Sequence, residues 1–323
     1  MDSLVSMLRA AGDATRLRLL LLLLDTELTV SELTQIVGQS QPRVSRHLKV
    51  LCDAGLLERF KEGSWVFYRG ADRGDAATLA HTIAQLAANE GSAVLAVDKR
   101  RLAAARAARA QSAAAYFKTN APHWERIRSL QVPEPEVESA VLRLLAPEHL
   151  GRVLDAGTGT GRMLELMAPH IGHGVGVDSS ADMLAIAREH LSRAGVKNCQ
   201  VRLGDVYRLP AASASYDAVL FHQVLHYLDD PLAALREALR ALKPGGRLLI
   251  ADFAPHELEF LRQDHAHRRL GFSDREVQGW FKALGMKPIA AESLAPRSGE
   301  GKLTVMVWLA AAPLTARRRA EAA

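Results

Sequence analysis

Apolar residues recur at three- and four-residue steps over positions 4–24, with a break near Gly12 and Asp13, and this spacing predicts two helices. A short helix is predicted over 31–37, with Val30 ahead of a capping Ser31. Gly38 and Gln39 form a turn. A further helix then runs to about position 54, with Ser40 as its cap and Pro42 in its first turn, where a missing amide costs little. Its apolar face is Val44, Leu48, Leu51 and Cys52. After Gly55 two strand-like runs, 57–60 and 64–69, are joined through Glu62 and Gly63. Residues 76–89 read as another helix, followed by a weak point at Gly91 and Ser92. The segment 94–115 is rich in alanine and arginine and poor in bulky residues, which predicts a semi-rigid helical arm, either a transmitter of shape change or a passive spacer. From Arg152 onward short apolar runs alternate with helical patterns. Strands are predicted at 153–155, 174–177, 201–203, 218–221 and 247–251, with a hairpin-like pair near 286–290 and 304–309 whose last strand runs antiparallel. Such alternation gives a mainly parallel sheet with helices on both faces.

The densest chemistry lies in residues 153–161, Val-Leu-Asp-Ala-Gly-Thr-Gly-Thr-Gly, where a buried strand runs into a loop almost without side chains. Gly157, Gly159 and Gly161 tolerate positive φ and remove the Cβ atoms that would hold a flat adenosine-bearing ligand away from the backbone. A dinucleotide fingerprint would put its third glycine at position 162, which is Arg162, so that ligand is disfavoured. Asp155, two residues before the first glycine, suits a cationic group better than a pyrophosphate. The next two strands also end in acids, Asp178 and, after Gly204, Asp205. These positions suit ribose hydroxyls and an adenine amino group.

On these residues, together with YDAVLFHQVLHYLDDP over 216–231 and KPGGRLLIADF over 243–253, the stretch 116–310 resembles the class I S-adenosylmethionine-dependent methyltransferases. The resemblance implies a Rossmann-like α/β domain with a mainly parallel seven-stranded sheet. S-adenosylmethionine would be its cofactor, and S-adenosylhomocysteine its product or effector. Asp155, Ala156, Gly157, Thr158, Gly159 and Gly161 would then hold the methionine part, Asp178 the ribose and Asp205 the adenine. Ser179, Met183, Gly204, Val206 and His222 would be further contacts. Tyr116 and Trp124 belong to an aromatic segment that either closes over the cofactor or simply packs. A small-molecule methyl acceptor would sit near 221–227. His222 and His226 are four apart and share a face if the segment is helical, so either is a candidate catalytic base or a structural or cofactor-contacting group. His256, His265 and His267 form a second cluster, read as a polar surface, a substrate pocket or a metal site; no metal ligand is assigned.

In the amino-terminal part, the predicted helix after Gly38 presents Gln41, Arg43, Ser45, Arg46, His47 and Lys49 with no acid among them, a composition suited to base edges and phosphates. Followed by a hairpin, it makes a mainly-α winged helix-turn-helix. Ala-Thr-Arg-Leu-Arg-Leu-Leu over 14–20, Gln-Pro-Arg-Val-Ser-Arg-His-Leu over 41–48 and the wing ending at Tyr68 and Arg69 make residues 7–89 resemble the ArsR family of bacterial repressors. The resemblance implies a homodimer reading an inverted repeat in double-stranded operator DNA. Ser40, Gln41, Arg43, Ser45, Arg46, His47, Lys49, Lys61, Tyr68 and Arg69 would be the DNA contacts. The chain departs from the metal-sensing members: residues 27–33 read Glu-Leu-Thr-Val-Ser-Glu-Leu without cysteine, and residues 75–89 offer a lone His81. A single histidine is no metal site, so a metal-responsive repressor ranks last.

The chain of 323 residues has room for two cores. The expected organisation is a DNA-binding and dimerisation domain over 1–92, a helical connector over 93–115, a methyltransferase domain over 116–312 and a basic tail over 313–323. Hydrophobic content of 48% and charged content of 24% are ordinary for a soluble protein. The apolar run 19–24 is far below the roughly eighteen residues that span a bilayer, and no membrane partner is expected. Two cysteines, Cys52 and Cys199, offer no disulfide framework and fit a reducing cytoplasm. A net charge of +5 is concentrated in Lys99, Arg100, Arg101, Arg106 and Arg109 and in Arg317, Arg318 and Arg319, which permits nucleic-acid contact without proving it. Two functions remain: a regulator with a cofactor-binding sensor or enzyme domain, and a methyltransferase that uses its winged helix to dimerise.

Overall fold

The computed structural model describes residues 2–24, 26, 28–62, 65–71, 74–89, 92–120, 134–145, 149–295 and 303–314. Two compact units divide between Ser112 and Ala113.

The first unit contains α1 (Asp2–Ala11), α2 (Ala14–Leu23), β1 (Leu28–Thr29), α3 (Val30–Val37), α4 (Gln41–Asp53), β2 (Leu57–Glu62), β3 (Trp65–Gly70) and α5 (Gly74–Asn89), and α6 (Ala93–Asn120) begins within it. Leu19, Leu20, Leu33, Val44, Leu48 and Leu51 meet in one core, so the apolar stripe of α4 faces inward as its spacing requires. Gly38 ends α3 in the left-handed region at φ 68°, which lets α4 leave at an angle. The cap of α3 is Thr29 rather than Ser31. The Thr29 hydroxyl accepts the Glu32 amide (3.3 Å) while the Glu32 carboxylate accepts the Thr29 amide (2.8 Å). The reason is that Thr29 ends β1, which pairs with β3 through Leu28 and Tyr68, so its backbone is extended as a cap requires. Ser31 already lies inside the helix. Ser40 stands at the cap position of α4 but makes no side-chain capping bond.

An ion pair fastens α6 to this core. Asp98 is 1% exposed and takes both Nε (2.6 Å) and Nη2 (2.7 Å) of Arg18, whose Nη2 also donates to the Val37 carbonyl at the end of α3 (2.9 Å). One turn further along α6, Arg101 Nη1 donates to the Ile36 carbonyl (3.0 Å).

In the second unit α7 (Glu134–Leu145) precedes β4 (Leu150–Ala156), α8 (Arg162–Met167), β5 (Ile171–Asp178), α9 (Ala181–Arg193) and β6 (Cys199–Leu203). There follow β7 (Tyr216–His222), α10 (Pro231–Ala241), β8 (Leu242–Phe253), α11 (Phe260–Asp264), α12 (Asp274–Leu284), β9 (Lys287–Leu294) and β10 (Val305–Ala311). Among the described residues the strands form a seven-stranded sheet in the order β6-β5-β4-β7-β8-β10-β9, parallel except for β10, which runs antiparallel to both neighbours. Successive residues of one strand serve opposite cores: Val219 and Phe221 join Leu154, Val175 and Ile250 on one face, while Ala218 and Leu220 join Val153 and Leu249 on the other. Burial on both faces explains why these strands read as unbroken apolar runs. Trp124, Gly63, Gly91 and the tail from residue 315 lie outside the described residues, as do the side chains of Tyr116, Arg106 and Arg109.

Removing one partner of a buried ion pair strands the other, which costs about 3–5 kcal/mol. Asp98→Ala is therefore expected to lower the unfolding free energy of the amino-terminal unit, read from urea titration, by an amount of that order. Asp53→Ala, which breaks the exposed pair with Lys49, is expected to change it by less than about 1 kcal/mol.

Candidate functional site

The chemistry-bearing residues of the second unit converge at the carboxyl ends of β4, β5, β6 and β7, where a parallel sheet places its ligands. Between β4 and α8 the chain turns through Gly157 at φ 80°, Gly159 at φ 52° and Gly161 at φ 83°. Space as well as conformation demands glycine at the first of these: a Cβ on Gly157 would lie 2.5 Å from Cγ2 of Val224, in the segment after β7. The Gly157 and Thr158 amides both donate to the Val177 carbonyl (2.7 and 3.0 Å), which pins the loop to β5.

Asp178 receives the Gly159 amide on one oxygen (2.9 Å) and the Ser180 amide on the other (2.8 Å). Burial pushes its carboxyl above the ordinary carboxylate range, against the pull of these amides and that of Ser179. Each oxygen keeps a lone pair for a further donor. Asp155 is buried beneath the loop and accepts the Thr158 hydroxyl (2.6 Å). Ala156 and Met183 are also buried, Ser179 is exposed and Val206 is half-buried. Asp205 is exposed beyond β6 and takes the Tyr207 amide (2.9 Å), while the Gly204 amide donates to the Asp178 carbonyl (2.9 Å). The expected acids and the glycine loop are thus brought to one edge. The Tyr116 side chain and Trp124, expected over the cofactor, lie outside the described residues.

His222 and His226 do not share a helical face. His222 ends β7, Gln223 turns the chain at φ 55°, and only Leu225–Tyr227 forms a single 3-10 turn. His226 is 1% exposed, and its Nδ1 lies 2.7 Å from Oδ1 of the fully buried Asp252 on β8. The segment after β8 folds over it: the Arg268 and Arg269 amides donate to the His226 carbonyl (2.8 and 2.9 Å), and the His267 ring lies 4.2 Å from that of His226. Burial, followed by the neighbouring His226, lowers the His256 pKa to about 4 and carries that of His267 lower still. Among the described residues no group of three or more His, Cys, Asp or Glu side chains is arranged to hold a metal ion. Asp252 was missed by the sequence reading. The signal was the aspartate in an otherwise apolar central strand.

In the first unit Ser40, Gln41, Arg43, Ser45, Arg46, Lys49 and Lys61 are exposed. His47 is half-buried, 3.7 Å from the Asp13 carboxylate. Tyr68 is not offered to DNA: it packs into the core, because the pairing of β1 with β3 covers it. Arg69 faces its own wing, with Glu58 opposite in the register bonded to it at 2.8 and 3.0 Å and the Phe60 ring beneath at 5.3 Å. Cys52 and Cys199 sit in different units, and burial pushes the Cys199 thiol up to about 11.

The neutral His256 and His267 set a pH dependence. Their folded pKa values lie below the unfolded value of about 6.5, so below that pH the unfolded chain binds more protons and stability falls as pH drops. Thermal unfolding is expected to show the second unit losing midpoint temperature between about pH 6.5 and about pH 4. His267→Phe, which keeps the stack on Phe253, should flatten that slope.

Residues 13–59 match the family model described as bacterial regulatory protein, arsR family, and residues 154–250 match that of the methyltransferase domain. An uncharacterised methyltransferase of Schizosaccharomyces pombe is 35% identical over 160 residues, which are 43% of this chain and 57% of that protein. An arsenite methyltransferase of Aquipseudomonas alcaligenes is 34% identical over 186 residues, 47% of this chain and 54% of that protein. The chain thus spans little more than half the length of either relative. Among solved structures, a methyltransferase in complex with the Haloferax volcanii Trm112 methyltransferase activator superposes with a TM-score of 0.52 at 24% identity, covering 61% of this chain and 97% of that one. Its likeness establishes the fold of the second unit. The chain joins an arsR-family helix-turn-helix to a carboxyl-terminal methyltransferase domain.

Proposed function

We propose that the chain is a dimeric, DNA-binding transcriptional regulator whose second unit binds S-adenosylmethionine and acts as ligand sensor, methyltransferase or both. The observation that carries this reading is the presence in one chain of two separate surfaces. One is the exposed basic face of α4, and the other is the glycine loop flanked by Asp178 and Asp205.

The residues fit the cofactor. The positive φ of all three loop glycines and their missing Cβ atoms let the backbone meet a flat ligand. Asp178 retains lone pairs for two vicinal hydroxyls, and exposed Asp205 can accept from an exocyclic amine. The bound cofactor would supply an electrophilic methyl group on a sulfonium; the chain's part is alignment and a dry setting. A dimer is supported by Leu4, Val5 and Leu8, apolar and exposed on α1, together with Leu86 on α5. No described helix is long and apolar enough to cross a membrane, and free thiols with a DNA target fit the cytoplasm.

Arsenite, which the Aquipseudomonas alcaligenes relative is named for, is a poor candidate acceptor here. Its thiophilic chemistry needs clustered thiolates, and this unit has one cysteine whose thiol is held protonated by burial. A second reading, a methyltransferase that uses its winged helix only to dimerise, is favoured by the breadth of the methyltransferase match.

The deciding experiment is fluorescence anisotropy of the full chain on its own upstream DNA at fixed salt, with no ligand, S-adenosylmethionine or S-adenosylhomocysteine. DNA binding is expected, with the two ligands changing affinity by different factors. Arg43→Ala or Arg46→Ala is expected to cost about 1–3 kcal/mol of DNA affinity. Gly157→Ala is expected to abolish the ligand response and leave ligand-free DNA binding intact. Absence of DNA binding would move the enzyme reading to first place.

A further inference from the structure

Resting on the cofactor-binding reading above, we propose that His226 is the general base for methyl transfer to a neutral hydroxyl group, and that Asp252 is the positioning residue that fixes its tautomer.

The geometry is that of an imidazole held from behind. Asp252 Oδ1 takes the Phe253 amide (2.8 Å) and Oδ2 lies 3.3 Å from the His226 amide, so the carboxylate is anchored before it meets the ring. As a carboxylate it can only accept from Nδ1, which leaves Nε2 with the lone pair. That Nε2 is buried and has no partner among the described residues, and the same holds for Nε2 of His256, Nδ1 of His267 and Nε2 of Gln223. Leaving one such group unmet costs about 1–3 kcal/mol, so four in one neighbourhood point to a polar ligand that meets them. Backbone strain falls in the same place: of the three described non-glycine residues at positive φ, Ala266 immediately precedes His267 and Gln223 lies three residues before His226. Val224, two residues before His226, is the residue against Gly157, so the turn bearing the base lies over the glycine loop.

The surroundings select the acceptor. The groups around the three rings are Asp252, Glu259, Arg262 and His265, and burial keeps His256 and His267 neutral. Of these three rings, His226 is the one bonded to a carboxylate among the described residues, and Asp252 would stabilise the imidazolium formed when it takes a proton. The buried Arg262 guanidinium beside these rings disfavours an ammonium acceptor, and a carboxylate acceptor would need no base. A hydroxyl fits both conditions. The acceptor O–H proton passes to His226 Nε2 as the C–O bond forms. The C–S bond breaks with its electron pair left on sulfur, giving a methyl ether, S-adenosylhomocysteine and an imidazolium that Asp252 stabilises until the proton leaves to water.

The test uses the full chain and three aromatic probes: phenol, which is a neutral hydroxyl at neutral pH, benzylamine and benzoate. S-adenosylmethionine binding by calorimetry comes first, and failure to bind overturns the cofactor reading itself. With binding in hand, S-adenosylhomocysteine release is expected with phenol only. His226→Gln is expected to lower kcat by about 100-fold or more at unchanged cofactor affinity, and Asp252→Asn by at least about tenfold. Independently of turnover, ¹⁵N-histidine NMR of the unsubstituted chain is expected to show His226 protonated at Nδ1 and bare at Nε2, and this readout stands even if a variant does not fold. The proposal is overturned by an Nε2-protonated His226, by His226→Gln turnover within about threefold of the unsubstituted chain, by preference for benzylamine or benzoate, or by cofactor binding with no probe turned over.

Discussion

The second unit depends on a carboxylate that is bonded to backbone rather than to a cation. Asp178 ends β5, and its two oxygens take the amides of Gly159 and Ser180, tying the loop after β4 to the start of α9. Loop amides that would otherwise face one another without acceptors are satisfied by a side chain from the neighbouring strand. The glycines make this possible. At Gly176, in the strand that carries Asp178, a Cβ would lie 2.6 Å from the Thr158 hydroxyl, and at Gly161 one would lie 3.1 Å from the Ala187 Cβ. A larger residue at either place would push the loop away from the carboxylate that holds it. Buried negative charge and missing side chains are thus two sides of one arrangement, and the receptive edge of the sheet follows from it.

That arrangement was legible in sequence because it is local. Asp155, Gly157, Gly159 and Gly161 fall within seven consecutive positions, and Asp178 and Asp205 each follow an apolar run whose length announces a strand. Helix α4 was legible for the same reason, since its apolar stripe and its basic face share one thirteen-residue element. Errors arose where distant chain segments decide a residue's role. Tyr68 has the look of a wing residue and is buried opposite Leu28 of β1, a two-residue strand too short to show periodicity. Thr29 outcompetes Ser31 as a cap through the same pairing. His222 and His226 have helical spacing, yet β7 runs through His222 and Gln223 takes φ 55°, so the helix that would align them does not form.

The polar pairs that organise each unit are the least visible of all. Arg18 and Asp98 are eighty positions apart, and His226 and Asp252 are twenty-six apart. No periodicity links them, since their meeting is a property of the packed fold. The one clue is negative: an aspartate in the central apolar strand β8 breaks a run that would bury more favourably as valine, which marks it as a residue kept for something other than the core.

The fastening of α6 has a mechanical consequence. Asp98, through the Arg18 it holds, and Arg101 directly fix the same short piece of chain, the last carbonyls of α3 just before the turn that precedes α4. A helix advances about 1.5 Å per residue, so sliding α6 by a single residue, or rotating it by the roughly 100° that accompanies such a step, would exceed the tolerance of both hydrogen bonds at once. A buried aspartate released in this way would have no water to fall back on. The beginning of α6 and the turn before α4 therefore behave as one stiff piece, and a torque applied along α6 would reach the pitch of α4 before it was absorbed by bending.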